Sequence, residues 1–206
     1  MKPSEIEILS FQIIDAEAGP HQFTPEEWQI VRRMIHTSAD FEYMRTIRFH
    51  PQAISTGIQA ICAGKPIITD TQMACSGIRK KEIHHFGGQV KCFIADKSVA
   101  EMAAKNATTR AQAAVEAAAN EMEDGIYVVG NAPTALLKLI ELIRLRQARP
   151  ALVIGLPVGF VNAAESKAEL IAMDYPHISN IGRKGGSNLA AAAINALSIM
   201  AIQTNG

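Results

Sequence analysis

Apolar residues fall at Ile6, Leu9, Ile13 and Ile14, a spacing of three and four that predicts a helix over Ser4–Glu17. A Gly19-Pro20 break closes it. Thr24 then has the chemistry of an N-cap, Pro25 suits the first helical position, and Glu26 and Glu27 fall in the first turn. This second helix carries its stripe on Trp28, Val31, Met34 and Ile35 and runs to about Thr37. A further helix is expected over Pro51–Ala63, ending at Gly64. Beyond it the pattern changes to short β-branched runs, Pro66–Asp70 (PIITD) and Val90–Asp96 (VKCFIAD), each ending in Asp. An Ala-rich helical stretch over Ser98–Met122 follows, with a break near Thr108-Thr109. Ile126–Val129 and Ala151–Ile154 read as strands, and His177–Ile181 as the last strand before GRKGGS (Gly182–Ser187) and a closing helix.

Strands that alternate with helices predict an α/β fold, a three-layer αβα arrangement whose mostly parallel sheet is covered on both faces. The two helices ahead of the first strand form an N-terminal helical region, free to pack on another surface such as a second subunit. With no internal repeat, low-complexity tract or long linker, residues 1–206 are expected to form one domain. Two junctions stand out, Gly125–Leu142 and Pro150–Leu170. In each, a β-branched run gives way to a loop of Gly, Pro and Asn and then to a helical pattern. Such loops set backbone N–H groups and small polar side chains at the carboxyl edge of a parallel sheet, where open α/β proteins bind ligands.

Composition narrows the partners. The 206 residues are 48% hydrophobic and 19% charged with net charge zero, which argues against a general nucleic-acid or membrane-surface binder. Aromatics at 5% are too sparse for single-strand stacking platforms. Cys62, Cys75 and Cys92 are odd in number and lack the spacing of a zinc site or redox pair, so they read as reduced thiols of a cytoplasmic protein. The N-terminal segment is acidic where a signal peptide needs basic residues. Leu189–Ile202 is shorter than a bilayer span and includes Asn195 and Ser198, so a buried helix is expected there.

Candidate chemistry is sharpest in RRMIHTSADF (Arg32–Phe41). Arg33 and His36 are three apart and Arg32 and His36 four apart, so an imidazole shares a helix face with at least one guanidinium. An imidazole handles protons near neutral pH, although a surface histidine near a helix end has the same spacing. His84-His85 lack a third ligand at metal-binding spacing, His21, His50 and His177 lack an evident partner, and Arg79-Lys80-Lys81 reads as a solvated face. GRKGGS suits either an anion-binding nest capped by Ser187 or a plain tight turn. Thr108-Thr109-Arg110 offers the same pair of readings. No GxGxxG, GxxxxGK[ST] or GxSxG occurs, so nucleotide-binding and serine-hydrolase readings lack their parts.

Taken together, SFQII (Ser10–Ile14), VRRMIHTSADF (Val31–Phe41), RFHPQAI (Arg48–Ile54), KPIITDTQMACSGI (Lys65–Ile78), TTRAQAA (Thr108–Ala114), GNAPTAL (Gly130–Leu136), GLPVGFVNAAESK (Gly155–Lys167) and GRKGGSNLAAAAINAL (Gly182–Leu197) resemble the precorrin-8X methylmutase family of cobalamin biosynthesis, also called precorrin isomerase or cobalt-precorrin-8 methylmutase. The resemblance implies an intramolecular methyl migration from carbon 11 to carbon 12 of a corrin precursor, giving hydrogenobyrinate or cobyrinate without a cofactor or resident metal. It places the proton-handling histidine on His36 and substrate-contacting Ser and Arg on Ser10 and Arg33, and it implies a homodimer with the site near the subunit interface. The substrate carries many carboxylates, for which Thr109, Asn131, Ser166 and the glycine loops offer further donors. A non-catalytic tetrapyrrole carrier would use the same groove without His36. A methyltransferase using S-adenosylmethionine would need a glycine-rich first βα turn, which is absent.

Overall fold

The computed structural model describes residues 3–205. Its chain begins with two helices, α1 (Pro3–Ala18) and α2 (Pro25–Ser38). Thr24 caps α2 as expected: its hydroxyl accepts the Glu27 N–H, and the Glu27 carboxylate accepts the Thr24 N–H at 2.9 Å. The far end closes on Ala39 in the left-handed region, with its N–H donating to the Ile35 carbonyl at 2.7 Å. Ile30, Val31, Met34 and Ile35 are buried, which fixes the face of α2 that packs inward along the last helix.

After the short helix α3 (Tyr43–Thr46) comes strand β1 (Ile47–Phe49), then α4 (Ala53–Cys62) and β2 (Ile67–Thr69). Helices α5 (Gln72–Gly77) and α6 (Lys80–His85), strand β3 (Val90–Lys91), and helices α7 (Lys97–Asn106) and α8 (Arg110–Ala118) complete the first half. The second half is β4 (Ile126–Val129), α9 (Pro133–Arg144), β5 (Leu152–Gly155), α10 (Ala163–Ile171), β6 (His177–Asn180) and α11 (Ser187–Asn205). The six strands lie in the order β1-β6-β5-β4-β2-β3, and every pairing is parallel except that of β1 with β6.

Successive strand residues alternate between two apolar clusters, as the pleat demands. Ile67, Ile126, Val128, Leu152, Ile154 and Ile178 face α2, α4 and α11 on one side. Ile68, Tyr127, Val129 and Val153 face α8, α9 and α10 on the other. Helices therefore cover both faces of a mostly parallel sheet, and both faces of every central strand are dry.

The elements depart from expectation where they are shortest. Strand β1 escapes a periodicity reading because Ile-Arg-Phe is only three residues long and sits between a helical turn and His50-Pro51. Helices α5 and α6, six residues each, escape it for the same reason. The run over Val90–Asp96 supplies only two residues of strand: β3 is an edge strand that pairs with β2 alone, and β2 ends at Thr69. The Ala-rich stretch does break at Thr108-Thr109, where Ala107 adopts a left-handed conformation and Thr109 starts a new helix.

Candidate functional site

Two groups of candidate residues come together, one on the N-terminal helices and one at the carboxyl edge of the sheet. The first is organised by Phe11. The His36 imidazole meets its ring edge-on at 5.3 Å between centroids, and the Arg32 and Arg33 guanidiniums lie 4.5 and 5.3 Å from the ring centre. Acids of α1 hold both guanidiniums: Arg33 donates to Glu7 at 3.0 Å and Arg32 to Asp15 at 2.8 Å. Asp15 also accepts the Trp28 indole N–H at 2.8 Å, which pins α1 against α2.

His36 itself is exposed and opens into a hollow of about 300 Å³ that Ser10, Ile13, Ile14, Glu17 and Phe41 also line. The Ser10 hydroxyl donates back to the Ile6 carbonyl at 2.8 Å and keeps its lone pairs for another donor. Arg33 does not share this hollow. It lines a smaller one of about 140 Å³ with Gln29, Arg32 and residues of α11. Ser10 and His36 thus line one hollow, and Arg33 lies on the other side of Phe11 in the neighbouring one.

The second group sits on α8 and α9. Thr109 caps α8 through a reciprocal pair with Gln112, and its hydroxyl approaches that of Thr134 at 3.3 Å. This contact joins the start of α8 to the start of α9, beside the exposed Asn131. Ser166 departs from the expectation of a ligand donor. It is fully buried in α10 and donates to the Ala163 carbonyl at 3.2 Å, so it packs beneath the loops and faces no open surface.

The loop after β4 also differs from the amide cradle that its composition suggests. Asp70, at the end of β2, accepts the N–H of Gly130 at 2.9 Å and those of Asn131 and Ala132 at 2.8 Å each. Three amides that face the edge are already spent on a carboxylate of the protein itself. Burial pushes the Asp70 carboxyl above the usual carboxylate range, and the three N–H bonds oppose that rise. Asp70 was invisible to motif reasoning, although a carboxylate closing an apolar strand is a signal that a ligand or a loop must answer it.

GRKGGS folds as a tied turn. Gly186 N–H donates to the Leu156 carbonyl at 2.9 Å, and the Ser187 and Thr71 hydroxyls bond at 2.8 Å. A Cβ on Gly185 would lie 2.3 Å from the Leu156 carbonyl oxygen, so only glycine lets the two loops touch. Lys184 is gripped from both sides. Its carbonyl accepts the Lys167 ammonium at 2.5 Å, and its own ammonium reaches Asp40 at 2.5 Å and Glu42 at 2.8 Å. Those two acids follow α2, so Lys184 fastens the His36 end of α2 to the carboxyl edge. The Lys184 pair holds Asp40 below the usual carboxylate range.

Lys167 is a second residue that sequence reasoning passed over. It is fully buried, with Asn180 Oδ1 at 3.1 Å as its other acceptor, and burial lowers its pKa to about 8. The signal was there: Ala163, Ser166, Lys167 and Leu170 form the inward stripe of α10, and a lysine on such a stripe must answer a buried acceptor. Among the described residues, no three His, Cys, Asp or Glu side chains gather as a metal site, and no helix is long and apolar enough to cross a membrane.

Comparison with known proteins identifies the family. The family model for precorrin-8X methylmutase matches residues 5–200. A cobalt-precorrin-8 methylmutase of Priestia megaterium is 52% identical over 98% of this chain and 89% of its own length. One from Leptospira interrogans is 46% identical over 95% of this chain and 92% of its own. A solved precorrin-8X methyl mutase structure from Thermus thermophilus superposes with a TM-score of 0.90 at 47% identity, covering 98% of this chain and 97% of that one. The match runs through both groups of candidate residues, and the chain belongs to the precorrin-8X methylmutase family.

Proposed function

We propose that this chain, residues 1–206 acting as one domain, performs its family's reaction through the hollow at the end of α2. The enzyme is an intramolecular transferase that moves a methyl group on a corrin precursor in cobalamin biosynthesis. The migration, from carbon 11 to carbon 12, is a pericyclic shift that needs electron density drawn out of the conjugated ring. His36 does this by protonating or hydrogen-bonding a ring nitrogen. The observation that carries the assignment is an exposed imidazole in an otherwise largely apolar hollow, with Ser10 beside it and two guanidiniums stacked behind Phe11. Ser10 and Arg33 take substrate oxygens, Arg33 by exchanging Glu7 for a substrate carboxylate. Thr109 and Asn131 meet a different acidic arm at the sheet edge. Ser166 supports the fold of α10 and makes no contact with substrate.

A corrin macrocycle is larger than the His36 hollow, so it must extend over further surface. Beside the hollow, Ile6, Leu9 and Ile13 form one face of α1 and are 51%, 44% and 49% exposed. An apolar stripe of that kind suits an interface, and we read the active enzyme as a homodimer in which this stripe is covered by a second copy. A reducing cytoplasm suits Cys62, Cys75 and Cys92, none of which is in a disulfide. The relatives at 52% and 46% identity carry the cobalt-loaded substrate in their names, which favours that form here. Incubation with cobalt-loaded and metal-free substrate, with the corrin product followed by absorbance, tests the reading. Conversion of the cobalt form at the higher kcat/KM is expected, and conversion of neither overturns it.

A further inference from the structure

Asp70 is a fully formed charged bracket that the reaction does not use. It is only 2% exposed, and among the described residues no ion pair neutralises it. Burying a carboxylate without a cation is costly, and here only backbone N–H groups compensate it. Both of its oxygens are occupied, Oδ1 by Gly130 and Oδ2 by Asn131 and Ala132. An asparagine could accept through one atom only and would turn donor N–H groups toward donor N–H groups. The neighbouring residue extends the bracket: Thr71 caps α5 and bonds Ser187 at 2.8 Å, at the first residue of α11.

Apart from Asp70, the segment is held at its two ends, where Gly130 packs on Ser187 and the Ala132 carbonyl accepts the Ala135 N–H at 3.0 Å. The residue flanking α9 is Ala132, which has no side-chain acceptor for the helix start. Gly130 is pressed against α11, where a Cβ would lie 2.6 Å from Ser187 Cα. Between these two points stands Asn131, whose amide is committed to Asp70 and whose side chain is exposed.

We propose that Asp70 is a positioning residue for substrate: by gripping three consecutive amides it sets the Gly130–Ala132 turn before the ligand arrives, so that the Asn131 carboxamide meets a carboxylate arm of the corrin without further ordering. The proposal rests on the reading of Asn131 as a substrate contact. Ordering the turn in advance removes a cost that binding would otherwise bear. The same grip also explains why the turn offers the ligand a side chain and withholds its backbone.

A double-mutant cycle read by cobyrinate binding tests this. In the parent chain, Asn131→Ala is expected to weaken binding by up to about tenfold, the worth of one hydrogen bond. Asp70→Asn is expected to weaken it by a similar factor, and adding Asn131→Ala to Asp70→Asn changes it less than about twofold, the signature of coupled sites. A merely structural Asp70 leaves the Asn131 effect the same size in both backgrounds, and that result overturns the positioning role alone. Full affinity in Asn131→Ala overturns the Asn131 contact and the proposal with it. If Asp70→Asn does not fold, amide hydrogen exchange on the unaltered protein decides. Protection of the Gly130, Asn131 and Ala132 amides before cobyrinate is added supports the proposal, and protection that appears only with cobyrinate overturns it.

Discussion

At the carboxyl edge of the sheet, each loop is bonded to the next: Asp70 to Gly130–Ala132, Thr71 to Ser187, Leu156 to Gly186, Lys167 to Lys184. On the N-terminal helices, by contrast, His36 is exposed, the guanidiniums are held by partly exposed acids of α1, and the apolar stripe of Ile6, Leu9 and Ile13 faces outward. One region is finished within the chain, and the other still has surface to bury. The difference divides the labour of the site. In the proposed reaction, the rigid edge receives the acidic arms of the substrate and the outer helices carry the proton-handling His36. Lys184 bridges the two through Asp40 and Glu42, and α11 joins them as well, packing on α2 while its first residue, Ser187, bonds Thr71.

The sharpest way to break this comparison is His36→Ala. Because His36 is exposed and meets the Phe11 ring at its edge, removing it should leave the melting temperature and cobyrinate affinity nearly unchanged. Methyl migration should fall by a factor on the order of 10² to 10⁴, the usual contribution of a positioned acid or base. Turnover at the parental rate would remove His36 from the chemistry.

Gly130→Ala probes the opposite region and should have the opposite profile. Its Cβ would arrive 2.6 Å from Ser187 Cα, so α11 or the turn must shift, at about 1–3 kcal/mol for overpacking. Urea unfolding should show that loss, whereas His36→Ala should not. A fully stable Gly130→Ala would mean that the edge is looser than its bonds suggest.

Arg33→Ala falls between the two. A carboxylate clamp acts on ground and transition states alike, so affinity for cobyrinate should drop by about 1.5–3 kcal/mol with kcat little changed. The same change also frees Glu7, so Glu7→Gln is the control that separates a lost clamp from a disturbed α1.

The two regions were also unequally legible in the sequence. The Thr24 cap, the stripe of α2 and the strands β4 and β6 follow from residue type and period, since each is a local property. The fold class followed from their alternation. His36 and Ser10 came from the family resemblance, because a histidine three or four residues from an arginine carries little information by spacing alone. The edge was read least well, since its bonds join residues far apart in the chain. Asp70 and Gly130 are 60 positions apart, and Lys184 and Asp40 are 144 apart. The glycine and the asparagine of GNAP advertised an open cradle, and only the fold brings up the carboxylate that fills it. The burial of Ser166 is a different case: its place on the inward stripe of α10, with Ala163, Lys167 and Leu170, is a local property that the helical period carries.

Lys167 offers the smallest and most selective test of the edge, through pH. Its folded pKa is lowered to about 8 by burial, while the unfolded lysine keeps the ordinary value near 10.5. Between those values the unfolded chain holds the extra proton, so stability rises with pH across the window and the penalty of the buried charge is fully present below it. One proton sets the ceiling on the slope at about 1.4 kcal/mol per pH unit. Other groups act in the opposite sense at the upper end: burial raises Cys92, and Tyr43 and Tyr175 are pushed up to about 12, so the fold resists their ionisation as pH rises. The measurement is therefore a difference, unfolding free energy of the parent minus that of Lys167→Met at pH 7, 8 and 9, in which those groups cancel. Lys167→Met loses the bonds to Asn180 and Lys184, so its absolute stability can move either way, but it has no proton to release. The difference should shift in favour of the parent by about 1 kcal/mol from pH 8 to 9 and by about a third of that from 7 to 8. A difference that is flat throughout would show that the ammonium keeps its ordinary pKa, and that the edge admits more water around Lys167 than its burial implies.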